Sequence, residues 1–255
     1  MTPLAATRRG GAAGFGIFTL VMVTVFIGLG VWQLQRRVEK HALIAALTER
    51  LAAAPEALPP PAQWSKLKPA SDEFRRVHFS AIYQPAPDVM VYSSGSAVRE
   101  DISGPGTWAF LPARLPGGET IVINAGFVQN TMQERSVEDR AVAPLVTSQP
   151  ANLTGYLRFP EKAALLTPPE NIATRLWFTR DPRAMAAVLG WGEVAPFYID
   201  LERPVPANGI PKPGPLEVHL KDDHLQYAIT WFALAGAVVI ALGIWLRGQR
   251  RLSSS

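Results

Sequence analysis

The 255-residue chain has four histidines, His41, His78, His219 and His224, and no cysteine. Without cysteine there are no thiolate zinc sites, CxxC redox pairs, disulfides or cysteine nucleophiles, so metal or proton chemistry falls to imidazoles and carboxylates. His41 and His78 lie at exposed or alternating positions and are expected to face solvent. His219 and His224 are five apart, with Lys221, Asp222 and Asp223 between them, which misses the i, i+4 spacing of a helical two-histidine metal site. His224 opens a long apolar run. On a helix, Tyr227, Ala228 and Trp231 fall at i+3, i+4 and i+7 from it, so one face combines an imidazole, a phenol and an indole. Trp32 and Gln33 reach the same level at the end of another apolar run. A histidine in such surroundings can be an axial ligand to haem iron, its binding nitrogen neutral and the macrocycle packed on the rings. The same residues also fit an aromatic belt at a membrane interface with His224 as a polar anchor, and residue types alone leave both readings open.

No catalytic constellation accompanies them. Ser93, Ser94 and Ser96 in SSGSA lack the GxSxG elbow and have no histidine and carboxylate placed beside them. Gly104-Pro105-Gly106 is too short to cradle a phosphate and reads as a turn. Asn152-Leu153-Thr154 fits a glycosylation pattern that often arises by chance.

The elements that must position His224 and Gln33 are two apolar stretches. Between Arg9 and Arg36 the chain is uncharged, and the run from Phe15 to Trp32 approaches the roughly 20 residues that cross a bilayer. A cleaved signal peptide would have a shorter core and a small-residue cleavage site, whereas WQLQRR follows this run, so an uncleaved anchor is expected. The second stretch, about Leu225 to Leu246, has aromatics at one edge and Arg247, Arg250 and Arg251 at the other, a membrane pattern rather than a buried core helix. Those arginines place its C-terminus in the cytoplasm. Two spans put the N-terminus there too, in keeping with Arg8 and Arg9 and against Arg36, Arg37 and Lys40; the long central segment is then extracytoplasmic, since long loops translocate largely regardless of charge. The expected plan is a cytoplasmic tail (1–13), a first span (14–33), a helical extension and Pro-rich connector (34–61), a strand-rich domain (62–204), an extended tether (205–223), a second span (224–246) and a basic tail (247–255).

Within the central domain, FRRVHFSAIY, DVMVYSS, TWAFLPARL, ETIVINAGFV, NLTGYLRF, RLWFTRD and APFYIDLE alternate with turn residues and read as strands. A helix from about Pro182 to Leu189 interrupts them, with Asp181 as N-cap and Pro182 in the first turn. Seven strands predict an α+β domain dominated by antiparallel strands, barrel- or sandwich-like. Lys and Arg total 25 against 21 acidic residues, but five of the arginines are in the tails, so no basic domain remains to neutralise phosphates and a nucleic-acid partner is excluded.

In order along almost the whole chain, GLGVWQLQRR, GPGTWAFLPARL, IVINAGFV, LTGYLRFPE, RLWFTRDPRAMAA, FYIDLE and HLQYAITWFALA resemble the surfeit locus protein family of cytochrome c oxidase assembly factors. The resemblance implies a non-enzymatic membrane protein that helps supply haem a to the catalytic subunit of an aa3-type oxidase. It makes His224 the leading candidate ligand to haem iron, with Trp32, Gln33, Tyr227 and Trp231 packing or orienting the porphyrin. Gly104 and Gly126 match family glycines and are assigned to turns. Where the family often has Asn-Asn, this chain has Asp222-Asp223; where it usually has NRGW, this chain has Asn124-Ala125-Gly126-Phe127; and Val38-Glu39 stand where a tryptophan is frequent. The partners implied are the oxidase catalytic subunit, haem a synthase and the lipid bilayer. A start at Met1 without an Arg-rich presequence points to a bacterial plasma membrane. Two other readings stand beside this one. A cofactor-free scaffold would use Ala233, Ala237 and Ala241 for close helix packing with the first span or a partner. An anchored sensor or enzyme would need a pocket of convergent titratable groups, which the sequence does not supply.

Overall fold

The computed structural model describes residues 4–96, 98–129, 135–217 and 222–252; His219, Lys221 and part of the expected tether lie outside them. The chain divides into two units: a helical one of residues 1–45 and 220–255, and a sheet domain of residues 46–219.

Helix α1 runs from Leu4 to Ala52 without a break, because no proline interrupts the sequence until Pro55. Helix α5 spans His224–Leu252. Both are long and apolar enough to cross a membrane, and only 11% and 6% of their apolar windows is buried within the molecule, so neither is a core helix. Their outward side chains, among them Phe18, Leu20, Val21, Ile240 and Ile244, are apolar and exposed. Where the helices meet, Gly30 leaves room for the Phe232 ring, which a Cβ there would strike. The face that α5 buries carries Ala228 and Ala235, while Ala233, Ala237 and Ala241 stay exposed, so the small-residue stripe is not what packs on the first helix.

The sheet domain begins with β1 (Glu56–Ala57), a 3-10 turn at Pro61–Lys66 and the short α2 (Pro69–Asp72). There follow β2 (Arg76–Tyr83), β3 (Val89–Ser93), β4 (Gly106–Arg114), β5 (Thr120–Gln129), α3 (Arg135–Val142), β6 (Ala151–Arg158), β7 (Leu176–Trp177), α4 (Pro182–Leu189) and β8 (Val194–Arg203). The expected strands therefore form, although RLWFTRD keeps only two residues of strand before Asp181 caps α4 by accepting the Arg183 and Ala184 backbone N–H groups.

Their assembly differs from the barrel or sandwich expected. The strands make one mixed sheet in the order β1-β2-β6-β8-β5-β4-β3-β7, and the ends of β2 and β4 make an additional two-pair antiparallel contact. Antiparallel pairs predominate, yet β5 and β8 at the centre run parallel. Parallel neighbours need a long connection, and the stretch from β5 to β8, carrying α3, β6, β7 and α4, supplies one.

Both faces of the sheet are covered, so its central strands are buried along nearly their whole length rather than at alternate residues. One face packs Leu111, Ile121, Ile123, Leu153, Leu157 and Phe197 into a core closed by Trp64, whose ring meets Phe197 edge-on at 5.4 Å. The other packs Val91, Trp108, Phe110, Val122 and Tyr198 beneath Met185 and Ala186 of α4. Gly126, at φ 129°, sits at a bulge in the β4–β5 pairing, where a Cβ would collide with the Lys212–Pro213 backbone. It serves a close approach of two backbone segments rather than the turn expected for it.

Candidate functional site

Gln33, Arg37 and His41 recur every four residues on α1 and so share one face of it. They meet the start of α5. The Nδ1–H of His224 donates to Gln33 Oε1 at 2.7 Å. In the neutral imidazole that bond leaves the lone pair on Nε2, which has no hydrogen-bond partner among the described residues. A partner on one ring nitrogen fixes both tautomer and ring orientation, which is how metal-binding imidazoles are held.

Asp222 ties this corner together. Its Oδ1 accepts the backbone N–H of His224 at 3.0 Å, and its Oδ2 accepts from His41 Nε2 at 2.6 Å and lies 3.6 Å from Arg37 Nε. A carboxylate just before a helix start is also favoured by the helix dipole. Burial alone would raise the Asp222 carboxyl, but the His224 N–H and the His41 side chain outweigh it and hold it below the usual carboxylate range. His41, expected merely to face solvent, is half-exposed and engaged in this contact. His78 keeps to the expectation, on the exposed side of β2 with Nδ1 3.1 Å from the Pro55 carbonyl.

The remaining expected site residues are placed unevenly. Trp32 and Tyr227 are 49% and 54% exposed, open aromatic surfaces one residue before Gln33 and one helical turn after His224. Trp231 is packed ring to ring on Phe26 of α1, with centroids 5.7 Å apart. Among the described residues no three His, Asp or Glu side chains gather as a metal cage. His224 is thus a single open imidazole, a donor suited to a metal that brings its other ligands with it, as porphyrin iron does. The roles of Asp222, His41 and Arg37 were not anticipated; the acidic pair immediately before the apolar run was the available signal.

The other sequence candidates stay structural. Ser93 ends β3 and Ser94 and Ser96 follow it, with the Ser93 hydroxyl donating to the Gly95 carbonyl. Gly104 has φ 80° in the turn that leads to Gly106 at the start of β4. Asn152 and Thr154 lie within β6, paired with Ser80 and His78 of β2, rather than on a loop.

These features define a chain in which two long apolar helices flank a mixed-sheet domain and meet at one oriented imidazole. The SURF1 family model matches residues 20–236, from within α1 to within α5, and the chain belongs to that family. It is 31% identical over 238 residues to Surfeit locus protein 1 of Homo sapiens, covering 87% of this chain and 73% of that protein. A SURF1-like protein of Monosiga brevicollis is 29% identical over 252 residues, covering 95% and 90%. A bacterial relative, the SURF1-like protein of Rickettsia bellii, is 25% identical over 232 residues, covering 89% of each chain.

Proposed function

We propose that this protein is a non-catalytic assembly factor for an aa3-type haem-copper cytochrome c oxidase, which holds haem a briefly and passes it to the nascent catalytic subunit. In this reading it lies in a bacterial plasma membrane with both termini cytoplasmic and the sheet domain periplasmic, the orientation favoured by Arg247, Arg250 and Arg251 after the second apolar stretch. Its partners are the oxidase catalytic subunit and, upstream, the haem a synthase.

The observation that carries the reading is the His224 imidazole, with Nδ1–H on Gln33 and Nε2 open. His224 would supply the one protein ligand to iron, Gln33 would fix its tautomer, and the exposed rings of Trp32 and Tyr227 would cover the macrocycle. Haem a is cargo here, and the protein's part is to bind and release it. A single neutral imidazole gives an exchangeable hold, as handover requires. Asp222 keeps the start of α5 against α1 through His41, so that His224 and Gln33 stay in register.

The test is the visible spectrum of the full chain purified in detergent after co-expression with the haem a biosynthetic enzymes. Haem a bands in the wild type that disappear in His224→Ala, with the variant still membrane-inserted, are expected. Absence of haem from both, together with retained capture of the catalytic subunit, would replace this reading with a cofactor-free scaffold, for which the exposed Ala233, Ala237 and Ala241 stripe is the available contact face.

A further inference from the structure

Between β6 and β7, Leu165 and Leu166 are 101% and 90% exposed, more than any other large apolar side chain among the described residues, those of the two long helices included. The loop that carries them is built rather than slack. At its base the Glu161 N–H donates to the Arg180 carbonyl at 3.0 Å, and the Arg180 guanidinium returns to the Glu161 carboxylate at 2.5 Å. At its tip Ala164 and Thr167 close a turn around the two leucines. The Thr167 N–H donates to the Ala164 carbonyl at 3.1 Å, and the Ala164 N–H to Thr167 Oγ1 at 2.8 Å. Pro168 and Pro169 stiffen the return, and Asn171 and Leu176 exchange backbone hydrogen bonds of 2.8 and 3.0 Å where the chain enters β7.

Surface turns usually place glycine, proline or small polar residues at their centre, yet this one holds two leucines there. From Lys162 to Pro169 the sequence is KAALLTPP, with one cation, one hydroxyl, no acid and otherwise apolar side chains. Apart from the partly buried Thr167, these residues are exposed. The point is too narrow for a stable protein interface, which takes about 20–30 residues a side. Entry into a lipid interface asks for less: an apolar tip, with a basic residue beside it that stays among the headgroups. A bilayer is also within reach. The Glu217 N–H is bound to the Val98 carbonyl of the domain at 2.8 Å, α5 begins at His224, and the chain between them spans at most about 25 Å when fully extended. A bilayer crossed by α5 is therefore no farther than that from the domain's attachment point, and the tether keeps the apolar tip at high local concentration beside the lipid.

We infer that the Leu165–Leu166 turn is a lipid-contacting tip, which buries both leucines in the interface of the bilayer crossed by the two helices and leaves Lys162 at the level of the headgroups. Two covalent joins leave the domain free to rock about the line between them; a third contact fixes which face it turns to the bilayer. The inference rests on the membrane reading given above and uses no residue of the haem site.

The chain has no cysteine, so a nitroxide can be attached at one introduced cysteine with no other substitution. The full chain carrying labelled Leu166→Cys is reconstituted into vesicles of equal parts phosphatidylcholine and phosphatidylglycerol and floated on a density gradient, and collisions of the label with lipid-soluble oxygen and with water-soluble nickel-EDDA are compared. Oxygen collisions should dominate at Leu166→Cys and nickel collisions at Glu193→Cys, an exposed polar position just before β8. Adding Leu165→Asp should turn the tip label from oxygen-dominated to nickel-dominated while leaving the Tm in detergent unchanged, because the Leu165 side chain is fully exposed. In a floating chain, a Leu166→Cys label as open to nickel as Glu193→Cys overturns the inference and leaves the membrane reading standing; it is the result for a tip that serves a partner protein instead. A label shielded from both reagents, as in a contact between copies, overturns it too, as does oxygen dominance that Leu165→Asp does not change. A chain that fails to float removes the membrane reading and this inference together.

Discussion

In the sheet domain Arg158 is sandwiched between Glu73 and Asp200, each 2.6 Å away, with its guanidinium 4.4 Å above the Phe74 ring; at the helix pair His224 makes one side-chain bond and leaves its second nitrogen unused. Apolar surface is divided the other way, buried on both faces of the sheet and turned outward along both helices. In the domain, charges from α2–β2, β6 and β8 are consumed in holding elements together, and removing any one strands its partners. In the helix pair, apolar contact and Asp222 hold the elements, and the imidazole keeps Nε2 without a partner among the described residues. The contrast separates residues whose loss should unfold the protein from those whose loss should silence it.

The largest effect expected from breaking that contrast is at Arg158. Arg158→Ala leaves the buried Asp200 and the partly buried Glu73 without their cation, which should cost about 3–5 kcal/mol in denaturant unfolding of the domain. Asp181→Ala removes the cap that accepts two backbone N–H groups of α4 and should cost about 1 kcal/mol by the same measurement. Tyr83→Phe should be the mildest at neutral pH, since the Tyr83 hydroxyl is buried with no hydrogen-bond partner among the described residues. Its effect belongs at high pH. Burial raises the Tyr83 and Tyr198 phenols and takes Tyr156 up to about 12, so the folded state resists ionisations that the unfolded chain undergoes near 10. Stability from these groups is complete below about pH 10 and is lost as pH rises further. A pH series of unfolding midpoints should show that loss, with a shallower fall in Tyr83→Phe.

Local pattern made much of this visible in the sequence and long-range pairing hid the rest. The apolar runs marked both long helices, and their ends put His224 and Gln33 at one level. Alternation and turn residues marked the longer strands. Order was not visible, because β8 pairs with β5 across a connection that itself contributes β6 to the sheet. Helix α3, RSVEDRAV, buries Ala141 and Val142 among its described side chains, and a pattern that polar has no apolar stripe to announce it. The buried polar cluster of the sheet domain was hidden for a similar reason. Asn124, Arg158 and Asp200 come from β5, β6 and β8, and only their register brings them together.

Comparing haem a content in wild type, Gln33→Leu and His224→Ala, each purified as the full chain with the helices inserted, tests the central claim most directly. The account predicts bound haem a in the wild type, an affinity lower by about 10- to 100-fold in Gln33→Leu, where the imidazole loses the bond that orients it, and none in His224→Ala. Haem a bound equally by all three would contradict it and return His224 to the role of a polar anchor at the membrane edge.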